Sequence, residues 1–146
     1  MSDTQVAALD HTIQQTNIWL KRLVDDHHFA DRQQAYNALR AVLQALRGRL
    51  TEEQAVHLSA QLPILVRGIY FEGWHLAAEK NNTRTVEEFA EEVNKRLPPQ
   101  FPRDPKTTTE AVFDLLWKEL DPGQTAKLID GLPLPLHLLW PMAARR

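Results

Sequence analysis

Leu62-Pro63-Ile64-Leu65-Val66-Arg67-Gly68-Ile69-Tyr70-Phe71-Glu72-Gly73-Trp74 is the stretch on which the reading of the fold turns. Pro63 suits the first turn of a helix, where its missing N–H would be unpaired in any case. From there Val66, Tyr70 and Trp74 fall on one side, Ile64 and Phe71 on a second, and Leu65, Ile69 and Leu76 on a third. A helix apolar on nearly every side is either buried among its neighbours or spans a membrane. Arg67, Glu72 and His75 interrupt this run, and it is too short to cross a bilayer. It is therefore expected to be the central helix of a helical core. Gly68 costs about 1 kcal/mol in mid-helix, so a close packing contact is expected there.

Towards the amino terminus, Thr51 and Gln54 make a capping pair for a short third helix through Ala60. Asp31 and Gln34 open a second helix in the same way. Its buried stripe is Ala35, Leu39, Val42, Leu43, Leu46 and Leu50, with Arg40 and Arg47 on the other face and Gly48 loosening its end. A first helix falls between Asp3 and Asp26. There Val6, Leu9, Ile13, Leu20, Leu23 and Val24 keep helical spacing around a polar gap at Thr16 and Asn17, and Ile18 and Trp19 broaden the apolar face.

Towards the carboxyl terminus, Asn81-Asn82-Thr83 reads as a surface turn. Thr85 and Glu88 cap a fifth helix carrying Val86, Phe89, Ala90, Val93 and Leu97. Four prolines within residues 98–105 point to an extended connector. Thr107 and Glu110 are expected to cap a sixth helix, with Ala111, Val112, Leu115, Leu116 and Leu120 apolar. Asp121-Pro122 starts a short seventh helix to about Asp130, and an eighth starts at Pro133 or Pro135 and stops at Pro141. No strand is expected.

Shifting the chain by seventy residues brings its halves into register. Leu46, Leu50, Gln54, Leu58, Leu62 and Pro63 then coincide with Leu116, Leu120, Gln124, Leu128, Leu132 and Pro133. Tyr70 falls on Trp140, Trp19 on Phe89 and Leu23 on Val93. Leucine alone would often coincide, but the shared order of cap, Gln, Leu, Leu-Pro and aromatic is harder to obtain by chance. The expected fold is all-α: one helical bundle over residues 1–146, built from two tandem repeats of about four helices each. Repeat one covers 4–79 and repeat two 84–142, the latter holding the Pro-rich connector 98–105. Residues 33–76 and 106–142 are expected to superpose.

The segment Leu39-Arg40-Ala41-Val42-Leu43-Gln44-Ala45-Leu46-Arg47-Gly48-Arg49-Leu50, with Ala60-Gln61-Leu62-Pro63 and Arg67-Gly68-Ile69-Tyr70-Phe71-Glu72-Gly73-Trp74, resembles the bacterial domain-of-unknown-function family numbered 2267. The resemblance extends to Asp10-His11-Thr12 and to the closing Leu-Trp-Pro. It implies a small helical bacterial protein, and it brings no activity or catalytic residue with it.

A chain of 146 residues buries roughly 70% of its unfolded surface and needs no disulfide or metal for stability. It has no cysteine, which excludes thiol catalysis and Cys-ligated zinc. The amino terminus shows no secretory signal, and a net charge of −2 with mixed signs points to neither nucleic acid nor an anionic membrane. A cytoplasmic location is expected. The six histidines lack the spacing of three or four that sets two ligands on one helix face. The carboxylates of Glu87-Glu88 and Glu91-Glu92 lack the Glu-x-x-His partners of a di-iron bundle. Ser2 and Ser59 have no nucleophile-elbow setting, and five glycines make no phosphate loop. No cofactor, metal or catalytic residue is expected.

The halves diverge after Tyr70, where the first continues through Glu72 and Trp74 and the second meets Pro141. Two readings stay open: Trp74 closes the core edge with Glu72 paired to an arginine, or Arg67, Tyr70, Glu72 and Trp74 form a binding patch. The function expected is that of a non-enzymatic protein-interaction or regulatory module. The alternative is a small-ligand binder, or an enzyme, using a cleft between the repeats.

Overall fold

A computed structural model describes residues 3–78 and 80–145. Seven α-helices follow one another: α1 (Ala7–His27), α2 (Arg32–Arg49), α3 (Glu52–Ser59), α4 (Ile64–Phe71), α5 (Val86–Arg96), α6 (Pro105–Glu119) and α7 (Pro122–Asp130). Two 3₁₀ segments, Leu134–Leu139 and Met142–Ala144, close the chain. The described residues contain no strand, and the fold is all-α.

The caps set the boundaries. Asp31 accepts the Gln34 N–H, and Thr51 with Gln54 and Thr85 with Glu88 form complete capping boxes. Asp121 caps α7 with Pro122 in its first turn. The expected start of α6 is corrected. Asp104 accepts from the N–H groups of Lys106 and Thr107, and Pro105 occupies the first turn, so an Asp-Pro pair wins over Thr107 and Glu110. The proline-rich connector is a turn and not an extended strut. Phe101 donates its N–H to Pro98 and packs on the core, while the Arg103 guanidinium lies 3.9 Å from the centre of the Phe29 ring.

The central helix is α2, not α4. Eleven of the eighteen α2 residues are buried, and it packs against α1, α4, α5 and α6. Small side chains at Ala35, Ala38, Ala41, Ala45 and Gly48 let those neighbours approach closely. Only Val66, Ile69 and Tyr70 of α4 are buried, while Ile64 is 63% exposed and Leu65 42%. α4 is therefore a one-sided helix at the edge of the bundle. Gly68 has no atom within 4 Å of the place a Cβ would take, so the expected close contact is absent. Gly48 is crowded, with the Asn81 amide 2.8 Å from that place.

The second half of the core is aromatic. Phe113 stacks on Trp140 at 4.0 Å and tilts against Phe89 at 5.8 Å. The expected eighth helix is instead the 3₁₀ segment Leu134–Leu139, with prolines at 133, 135 and 141 leaving no length for a regular α-helix.

Candidate functional site

The site assembles on the outer edge of α4, and α4 depends on side chains from elsewhere. Eight residues are too few for an isolated helix to persist in water. Pro63 offers no side-chain cap, so the N–H of Leu65 is bonded by the Thr12 hydroxyl from α1 at 2.8 Å. At the other end Gln44 donates to the Ile69 carbonyl at 2.9 Å. Arg47 donates to Tyr70 at 2.8 Å and to the Glu72 carbonyl at 3.2 Å. A buried guanidinium on the last carbonyls of a helix also meets the negative end of its dipole. Burial and the neighbouring Arg96 hold the Arg47 pKa below its ordinary value.

These bonds decide where each expected residue stands. Tyr70 is wholly buried, its hydroxyl donating to the Ala55 carbonyl at 2.8 Å, and burial pushes its phenol pKa up. It belongs to the core and cannot present itself to a partner, which corrects its place in the patch. Arg67 is half-buried and donates to the carbonyls of Ser59 and Leu62, tying the α3–α4 corner. Glu72 is exposed and accepts from Arg40 at 3.3 Å. Trp74 is half-buried over the Phe71 ring at 5.2 Å, reached through a turn in which Gly73 has φ +78°. The structure brings Glu72 and Trp74 to the surface and leaves Tyr70 below it.

The sequence reading missed a neighbouring surface. Val6, Leu9 and Ile13, expected in the core, are exposed, Leu9 by 51%. The inward face of α1 carries Thr12, Thr16, Trp19, Leu20 and Leu23 instead. Thr16 donates to the Thr12 carbonyl at 2.8 Å, and Thr12 accepts from Leu65, so both hydroxyls are satisfied while buried. The hydrogen bond at Thr12 joins α1, with its exposed Leu9 and Ile13, to α4, with its exposed Ile64 and Leu65.

A second feature joins α1 to α6. His27 Nε2 lies 2.7 Å from Asp114 Oδ2, which also receives Lys118 at 2.9 Å. Burial works to raise the Asp114 pKa, but the hydrogen bonds from Lys118 and His27 outweigh it and hold the carboxyl below its ordinary value. Among the described residues no group of three or more His, Asp or Glu is arranged to hold a metal ion. None of the described helices is long and apolar enough to cross a membrane.

A family model described as an uncharacterized conserved protein, DUF2267, matches residues 16–139, and the chain belongs to that family. The match takes in every element from the second half of α1 to the first 3₁₀ segment, and it leaves Val6, Leu9 and Ile13 outside. A comparison with curated proteins gives no match.

Proposed function

We propose that this member of the family is a non-enzymatic helical interaction module that engages another protein through the exposed edge of α1 and α4. One observation carries the reading: Leu9, Ile13, Ile64 and Leu65 are exposed apolar side chains on two helices that pack together and are joined by a hydrogen bond at Thr12. Contiguous exposed apolar surface is characteristic of interaction sites. Gly68, which is exposed, adds no bulk to the same face of α4. The exposed Glu72 and the half-buried Trp74 follow directly on α4, which also carries the half-buried Arg67. An acid at a rim steers an approaching basic partner, and a half-exposed tryptophan is a frequent energetic anchor.

The same reading holds the scaffold to be a duplication of two four-helix units. Positions seventy apart share their burial: Trp19 with Phe89, Leu23 with Val93, Leu46 with Leu116, Leu58 with Leu128, Val66 with Leu136, and Tyr70 with Trp140. α1 packs on α2 and α4 as α5 packs on α6 and the Leu134–Leu139 segment. The units differ in the 3₁₀ form of that last segment and in their first helices, 21 residues in α1 against 11 in α5.

A photo-crosslinking residue placed at Leu9, or separately at Leu65, in the producing cell is expected to trap the same second protein. Leu65→Asp is expected to abolish trapping from Leu9 with little change in melting temperature, because the side chain is exposed. Trapping only of a second copy of the chain would replace the partner with self-association. Turnover of a defined substrate by the purified protein, with nothing trapped, would sink the proposal.

A further inference from the structure

α3 and α7 run antiparallel, with a glutamine side chain near the other segment at each end. The Gln54 amide lies 2.7 Å from where a Cβ of Gly131, at the end of α7, would stand, so a side chain there would have to displace it. At the other end the Gln61 side chain accepts the N–H of Asp121, the α7 cap, at 2.9 Å. Between these points the helices border a cleft of about 520 Å³. That size lies within the range of small-molecule sites. Its floor is apolar, made by Leu58 from α3 and Leu128 from α7. His57 lines one side and Lys127 the other, and neither has an ion pair or hydrogen bond among the described residues. Gln124, also lining the cleft, supplies a further amide, and among the described residues no carboxylate lines it.

We propose that this cleft binds a small amphipathic carboxylate, its apolar body on Leu58 and Leu128 and its carboxylate between His57 and Lys127. The lining charge argues for an anion. Lys127 is cationic, and the His57 ring offers an N–H donor. A carboxylate takes both through its two oxygens. An amine would face a cation with no acid to receive it. The site lies apart from the α1–α4 edge, so it stands or falls independently of the interaction surface.

Hexanoate is a suitable probe, titrated at constant ionic strength into the ¹⁵N-labelled full chain, with hexylamine as its cationic counterpart. Saturable shifts are expected at the amides of Leu58, Thr125 and Leu128 with hexanoate and not with hexylamine. Lys127→Met is expected to weaken binding by at least about tenfold, the size of a charge-assisted hydrogen bond. Ala60→Phe, which fills the cleft from an exposed lining position, is expected to abolish binding with the melting curve unchanged. Absence of saturable shifts, equal binding of hexylamine, or unchanged affinity in either variant would overturn the assignment.

Discussion

Gly48 and Gly68 stand on neighbouring helices and meet opposite surroundings. At Gly68 a Cβ meets nothing, the backbone is helical, and glycine only enlarges the freedom of the unfolded chain. Gly68→Ala is therefore expected to raise stability by about 0.5–1 kcal/mol, read as a higher melting temperature. At Gly48 the Asn81 side chain donates to the Ala45 carbonyl at 3.0 Å, and the Asn81 backbone N–H donates to Gly48 itself at 3.0 Å. Held at both points, Asn81 cannot yield to a new methyl group without losing the Ala45 bond. Gly48→Ala is expected to lower stability on the order of 1 kcal/mol despite alanine's better helix propensity. Two substitutions of the same kind then move melting in opposite directions; a shift in the same direction would mean that Asn81 does not hold its place. The sequence alone could not separate them, since both glycines sit in apolar helical patterns and only the neighbour across the interface differs.

At the scale of elements, α4 shows what local pattern reveals and what it leaves out. Its existence was legible from Leu-Pro followed by an apolar run, and so were the capping pairs at Asp31, Thr51, Thr85 and Asp121, because a cap is settled within four residues. Its place at the edge was not legible. Periodicity says which faces are apolar, never which of them a neighbour covers. The core passed to α2 although α2 carries Gln44 and Arg47, because both find backbone acceptors on α4. Glu72 and Trp74 were legible as a divergence between the halves, while the apolar edge at Leu9 and Ile13 was not, because Thr12 is buried through a bond to the Leu65 N–H that periodicity does not reveal. That bond is testable. Thr12→Val keeps the shape and removes the acceptor for Leu65 N–H, a loss expected to cost about 1–3 kcal/mol. Hydrogen exchange at Leu65 should quicken more than exchange in α2; protection unchanged at Leu65 would show that the N–H has another partner.

At the scale of the whole molecule, the Asp114 carboxyl ties α6 to α1 across the halves, beside the Arg22–Glu119 and Asp26–Lys118 pairs. The Asp114 carboxyl, held below its ordinary value of 3.8, contributes stability above that value and loses it as pH falls through the lower folded-state pKa. Asp114→Asn is expected to flatten the acid end of the stability profile below about pH 4 and to leave its shape at pH 6–9 little changed. The larger tie is the core. The buried face of α2 is covered by α5 and α6, and α6 also packs on α1, so neither half encloses its own apolar surface. Leu39, Leu43 and Leu46 of the first half and Val93, Val112 and Leu116 of the second are each fully buried in the intact chain. Each leucine among them left in water forfeits roughly 1.5–3 kcal/mol, enough for a few such residues to exceed the total stability of a small domain. Residues 4–79 alone and residues 84–142 alone are therefore expected to show little cooperative melting by circular dichroism. Mixed in equal amounts they are expected to recover helical signal and a single transition whose midpoint rises with concentration, since association supplies the missing faces. A fragment that melts cooperatively alone, at a midpoint independent of concentration, would show that the half closes its own core and that the α2–α5–α6 packing is an interface between domains.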